Sequence, residues 1–128
     1  MRHCLNPLFH LDDVLVQTVD ACGGDIEVDL VPGRALECGG QLCVGLQLPE
    51  IGESLPRPTV AVRLIAASAN RGGYALSKDA GHWWVWKLYA SVGEGELGET
   101  LRHHAQFTRA LSAILRRPPP KRAPRRYG

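Results

Sequence analysis

The chain has 128 residues, 45% of them hydrophobic, which is enough for one domain with one core and too few for two. Residues 1–115 carry nine Lys and Arg against thirteen Asp and Glu, a balance of −4, while the last thirteen residues carry six basic side chains and no acidic one. An acidic body argues against a nucleic-acid-binding domain, because such domains bind phosphate through cationic contacts.

Membrane and metal motifs are missing from the sequence. It has no run of about 18 apolar residues, and no apolar N-terminal stretch followed by a small-residue cleavage site. The four cysteines form no CxxC pair and have no His at zinc-finger spacing: Cys4, Cys22, Cys38 and Cys43. We therefore expect no membrane span, no metal and no cofactor, and free thiols in a reducing cytoplasm.

The first half of the chain predicts a helix followed by three strands. Asn6-Pro7 is typical of a helix start, and apolar residues then recur at helical spacing before Gly23-Gly24: Leu8, Leu11, Leu15, Val19 and Cys22. Residues 25–31 alternate between acidic and apolar side chains, which predicts a strand that ends at a Pro32-Gly33 turn. Residues 34–38 and 41–48 flank Gly39-Gly40 and predict a hairpin.

The second half predicts a helix, two strands and a final helix. Residues 49–58 read as a loop, and Pro58 can open a helix that ends near Asn70, although residues 60–62 also suit a strand. Residues 74–77 and 82–89 predict a hairpin around a short polar connection with glycine. A long apolar stripe predicts a helix over residues 96–116, which three prolines then end.

The predicted order is helix, three strands, helix, two strands, helix. This order indicates an α+β fold in which an antiparallel twisted sheet packs against helices. We expect one such domain over residues 1–116. A basic, Pro- and Arg-rich tail over residues 117–128 has too few apolar residues to form a core and is predicted to be disordered.

Three stretches of the second half resemble a known family. Val62-Arg63-Leu64-Ile65-Ala66-Ala67-Ser68-Ala69-Asn70 runs into Gly73-Tyr74-Ala75-Leu76-Ser77, and His82-Trp83-Trp84-Val85-Trp86-Lys87-Leu88-Tyr89 precedes the leucine-spaced last helix. With the element order and length, residues 7–116 resemble the class I type III secretion chaperones (Tir chaperone or CesT-like family). The basic tail departs from that family, whose members are usually acidic throughout.

The resemblance implies a bacterial cytoplasmic homodimer with no enzyme activity. Such a dimer would bind the N-terminal region of a secreted effector, keep it soluble, and deliver it to the export apparatus, with the secretion ATPase as a further candidate partner. The implied effector-binding residues are Val28, Leu30, Leu42, Val44, Leu46, Trp83 and Val85. The implied dimer interface is Val60, Leu64, Ala67, Ser68, Trp84 and Trp86. Ordinary packing within the chain is the alternative for each of these residues.

The strand at residues 82–89 carries bulky side chains on both faces, and an antiparallel sheet with one solvated face would alternate with polar residues instead. One face therefore needs a cover, which could be a helix of the same chain, a second subunit or a bound peptide. The pattern alone does not fix which of Trp83 and Trp84 faces the core.

No arrangement of residues in the sequence predicts catalysis. His103 and His104 read as solvated helix residues, and no GxSxG, GxGxxG or phosphate-binding loop is present. Two other functions stay open besides the chaperone. One is a regulatory protein that associates with nucleic acid or an acidic partner through the basic tail, and the other is a small enzyme with an apolar pocket beside the tryptophans.

Overall fold

The computed structural model describes residues 6–68, 73–89 and 94–117. A short 3₁₀ helix, Asn6–His10, precedes four strands: β1 (Val14–Val19), β2 (Gly23–Val28), β3 (Val31–Cys38) and β4 (Gln41–Gln47). Helix α1 (Pro58–Ala67), strands β5 (Ala75–Asp79) and β6 (His82–Tyr89), and helix α2 (Glu94–Arg116) follow. The strands form one sheet in the order β1-β2-β3-β4-β6-β5, and every neighbouring pair is antiparallel.

The α+β class with an antiparallel sheet is confirmed, and the described ranges contain two α-helices instead of the predicted three. The β3–β4 hairpin turns at Gly39-Gly40, where both residues have positive φ, as the sequence predicts. Helix α1 begins at Pro58, the β5–β6 hairpin forms, and α2 ends at Arg116. The predicted end of α1 near Asn70 and the predicted disordered tail after Arg117 lie outside the described residues.

The predicted first helix is wrong, because only a short 3₁₀ helix forms at its start and residues 14–19 form β1. Val14 and Val16 pair with Val28 and Ile26 of β2 and pack against the core. Leu15, which the helical stripe would bury, is 57% exposed. The run from Val14 to Val19 is rich in β-branched residues, and pairing with β2 outweighs a leucine spacing that also fits a helix.

The predicted Pro32-Gly33 turn is also wrong, since both residues lie within β3. The chain turns at Asp29 and Leu30 instead, both with positive φ. Arg109 of α2 holds this turn: its Nη1 donates to the Asp29 carbonyl and its Nη2 to Asp29 Oδ2, each at 2.6 Å. A contact 80 residues away in sequence thus stabilises a turn that lacks glycine.

Both helices pack on one side of the sheet, which we call the helix face, and the opposite side is the outer face. The first half of α2 covers β2, β3 and β4 through Leu97, Leu101 and Ala105. Its second half forms a second cluster with α1 and β6 through Leu111, Leu115 and Val85. None of the described helices is long and apolar enough to cross a membrane.

Candidate functional site

Strand β6 places its bulky residues on both faces of the sheet. Trp83, Val85 and Tyr89 lie on the helix face, where Val85 and Tyr89 are buried in the core clusters. Trp84, Trp86 and Leu88 lie on the outer face, because they alternate with the first set along an antiparallel strand. The helices therefore cover only the first set.

The outer face carries an apolar group of side chains around the two tryptophans. Their ring centroids are 6.0 Å apart with planes at 28°. Next to them a row runs from β3 through β4 to β6, in which Leu36 pairs with Cys43 and Cys43 with Leu88. We call the set Leu36, Cys43, Trp84, Trp86 and Leu88 the outer-face patch. None of its members belongs to either core cluster, and Leu88 is 49% exposed.

Gly45 of β4 sets the position of the Trp86 ring. A Cβ atom built on Gly45 would lie 2.6 Å from Cδ2, Cε2 and Cε3 of Trp86, which means that the indole rests on the glycine backbone. Trp84 is held by its ring nitrogen, since Nε1 donates to the Asp79 carbonyl at 3.0 Å. The patch is thus a fixed surface, with only 8% of Trp84 accessible but Trp86 and Leu88 open to a partner.

Towards β1, the outer face carries polar and charged side chains. Arg34 lies 3.7 Å from Asp25 and 3.9 Å from Asp20, and Thr18 Oγ1 donates to Asp25 Oδ2 at 3.1 Å. Gln17 donates to Glu27 at 3.4 Å. These exposed pairs contribute little to stability, and salt screens them. Half of the face is therefore ordinary solvated sheet, and the other half is the outer-face patch.

Cys43 is the one thiol of the patch. Burial, followed by the neighbouring Cys38 charge and a hydrogen bond with Cys38, raises the pKa of the Cys43 thiol to about 11. The thiol is therefore protonated at neutral pH and behaves as a small apolar group. Over the described ranges, no three His, Cys, Asp or Glu side chains come together in a way that could hold a metal ion.

Most of the predicted effector-binding residues lie in the core. Five are buried beneath the helices: Val28, Leu42, Val44, Leu46 and Val85. Trp83 is half-buried on the helix face, where its Nε1 donates to the Glu53 carbonyl at 2.9 Å. Leu30 is 85% exposed at the β2–β3 turn and is the most exposed member of the set.

The predicted dimer residues fall on two sides of the sheet. Val60 and Leu64 of α1 pack partly against the core, Ala67 is exposed, and Ser68 is buried at the end of the helix. Ser68 Oγ donates to the Ile65 carbonyl at 2.5 Å and accepts from the Tyr74 amide at 3.2 Å. Trp84 and Trp86 lie on the outer face. One contact surface would include both groups only by passing around β5, the edge strand next to them.

His104 is buried, so its prediction as a solvated helix residue is wrong, whereas its neighbour His103 is exposed. Its Nε2 lies 2.8 Å from the Val85 carbonyl, which only accepts, so Nε2 carries the proton. Nδ1 therefore accepts from the Tyr89 hydroxyl at 2.8 Å. Burial lowers the pKa of His104 to about 4, against the Val85 hydrogen bond, which raises it, while the charge of Lys87 lowers it further. A neutral histidine with both nitrogens occupied joins α2 to β6 and is not free to move protons.

A second surface lies beside Trp83, where an apolar groove of about 420 Å³ separates α1 from β5. Its walls are Leu55, Pro58, Val62, Ile65, Ala66, Leu76 and Trp83. None of these side chains is an acid, a base or a nucleophile, so the groove offers a binding surface and no catalytic group.

The sequence identified the tryptophan strand but missed Leu36, Cys43 and Gly45 as its neighbours. The available signal was the glycine inside β4, since a glycine within a strand often marks a close approach. A scan of protein-family models, a search of curated proteins and a search of solved structures each found no match to this chain. The resemblance to the type III secretion chaperones therefore stays a prediction from the sequence.

Proposed function

We propose that this chain is a protein-binding chaperone of the type III secretion kind. It would hold the N-terminal region of an effector in the bacterial cytoplasm, keep it soluble, and deliver it to the export apparatus. The observation that supports this most is the outer-face patch. It is apolar, yet none of its side chains belongs to either core cluster. An accessible apolar surface that includes a tryptophan, here Trp86 beside the half-exposed Leu88, is a common feature of protein-binding sites.

The shape of this surface suits an extended segment. A strand-like peptide presents alternate side chains to one side, and the Leu36-Cys43-Leu88 row with Trp86 offers apolar contacts for them. Strands β1 and β5 are the two edges of the described sheet, so their outer backbone groups have no strand partner within that sheet. The patch would supply apolar contact, and an edge would supply backbone hydrogen bonds.

Binding to the outer face is tested with two leucines that receive the same substitution. Leu88→Asp places a charge in the patch, and Leu30→Asp places one at the β2–β3 turn. Both side chains are about half exposed or more, so both variants should fold. The effector is first identified by co-purification from the native host, at two chaperone chains to one effector, and its affinity is then measured by calorimetry with the purified segment.

We expect Leu88→Asp to weaken binding at least about tenfold, because the partner would have to desolvate a carboxylate. Leu30→Asp should retain the wild-type affinity within about twofold. The reverse result would move the site to the turn. Co-purification could instead recover only nucleic acid, and deletion of residues 118–128 could abolish that recovery. Those two results together would replace the chaperone function with nucleic-acid association through the basic tail.

The homodimer part of the proposal is tested at Ala67. This side chain is exposed on α1, so Ala67→Glu should not disturb the fold. If α1 is the interface, two like charges would face each other and the dimer should dissociate in sedimentation velocity runs. A dimer that persists in Ala67→Glu but dissociates in Leu88→Asp would place the interface on the outer face.

A further inference from the structure

A groove of about 760 Å³ lies on the helix face, where the end of α1, strand β6 and the middle of α2 meet. Leu64 and Ala67 of α1 form one wall. Thr100, His103, Phe107 and Ala110 form the other, and their spacing puts them on one side of α2. The volume falls in the range of small-molecule sites.

One end of the groove is aromatic. The rings of Tyr74 and Phe107 stack with centroids 4.3 Å apart and planes at 12°. Gln106 and the exposed His103 lie on the rim. His103 contacts Glu99 at 4.0 Å, and Thr100 Oγ1 donates to the Glu96 carbonyl, so that hydroxyl still has the capacity to accept.

Lys87 lies in this groove, on the face of the sheet that elsewhere forms the core. Its Nζ lies 5.4 Å from the Tyr74 ring centroid and 5.8 Å from that of Tyr89. No ion pair of Lys87 is found among the residues the structure describes, whereas Arg102, Arg109 and Arg116 each contact a carboxylate. Two ring faces stabilise an ammonium less than a carboxylate does in a half-buried position.

We propose that this groove binds a small organic acid whose carboxylate pairs with Lys87 and whose apolar or aromatic body lies against Tyr74 and Phe107. The neighbouring His104 is neutral, with both ring nitrogens hydrogen-bonded, so Lys87 is the cation that would select the anion. The groove and the outer-face patch lie on opposite faces of the sheet. This site is therefore distinct from the proposed effector-binding surface and does not depend on it, but it requires that Leu64 and Ala67, two of the predicted dimer residues, stay accessible.

The test compares 3-phenylpropionate with 3-phenylpropionamide, which has the same shape and no charge. Binding to the full chain is followed by NMR shifts of the Tyr74 and Phe107 rings. The wild type should prefer the acid by about tenfold or more, since a charge-assisted hydrogen bond is lost in the amide. Acetyl-glycyl-phenylalanine serves as a third probe, because it carries the same carboxylate at the end of a peptide. If this probe binds more tightly than 3-phenylpropionate, the ligand of the groove would be the C-terminal carboxylate of a peptide.

Lys87→Met is the matched variant, because it keeps an unbranched apolar stem and removes the charge. It should bind the acid and the amide equally, while Lys87→Arg should keep the preference for the acid. Equal binding of acid and amide by the wild type would overturn the proposal, independently of how any variant folds. So would an acid preference that survives in Lys87→Met, or the absence of saturable acid binding at millimolar concentrations.

Discussion

The two faces of the sheet are built from alternate residues of the same strands, yet they differ in what covers them. On the helix face, α1 and α2 bury the apolar side chains into two clusters that extend from Leu8 to Leu115. On the outer face, the strands near β1 carry solvated charges, while the outer-face patch lies on β6, β4 and the adjoining Leu36 of β3. A single chain of this size needs one covered face to fold, so a second apolar surface supports the proposed protein partner.

The largest expected difference between the faces comes from two leucine truncations. Leu46→Ala removes a fully buried side chain from the helix face and should lower the free energy of unfolding by about 2–5 kcal/mol. Leu88→Ala on the outer face should cost less than about 1 kcal/mol, because that side chain is already half exposed. Urea denaturation measures both. Similar losses for the two variants would mean that the outer face is also closed.

Acid should weaken the helix face through His104. Its folded-state pKa of about 4 lies below the ordinary 6.5, so the unfolded chain binds a proton over this interval and the folded chain does not. Stability should therefore be fully present above about pH 6.5 and fall, by on the order of 3 kcal/mol, as the pH drops to about 4. Comparing the pH dependence of the unfolding free energy in the wild type and in His104→Gln isolates this contribution. His103→Gln, at the exposed neighbouring position, serves as the control for the substitution itself; parallel curves for the wild type and His104→Gln would rule the mechanism out.

Gly45→Ala tests how firmly the outer-face patch is built. The added methyl group would meet the Trp86 ring, so the indole must move and lose its packing on the strand. We expect a loss of about 1–3 kcal/mol and a change in the near-ultraviolet circular dichroism of the tryptophan pair. Gly52→Ala is the control, because nothing lies within 4 Å of a Cβ at that position. An unchanged spectrum in Gly45→Ala would show that the ring is not held as described.

The smallest effect is expected from deleting residues 118–128. The core residues of the described chain all lie between Leu8 and Leu115, so the deletion should leave the melting temperature unchanged. Differential scanning calorimetry checks this. A clear drop would show that the basic tail packs on one of the two faces.

The elements that the sequence predicted are those with local signals. Gly39-Gly40 fixes the β3–β4 turn, Pro58 opens α1, and the apolar stripe of α2 is long enough to be unambiguous. Strand β1 was missed because its identity depends on pairing with β2, and the Asp29-Leu30 turn was missed because Arg109 holds it from α2. The first depends on pairing with a neighbouring strand that the apolar spacing does not reveal, and the second on a contact 80 residues away.

The candidate site was predictable only in part, for the same reason. The sequence showed that the tryptophan strand is too apolar to have one solvated face. The choice of face followed from where α1 and α2 pack, which placed Val85 inside and Trp86 outside. Packing likewise determines that His104 is buried and that His103, one residue earlier on α2, is exposed.

Hydroxyl-radical footprinting of the chain, alone and with its co-purified partner, tests the central claim most directly. We predict that Trp86 and Leu88 lose most of their reactivity on binding, while the exposed Phe9 and Val62 stay equally reactive. Protection of Val62 with unchanged Trp86 and Leu88 would contradict the account and place the partner on the helix side.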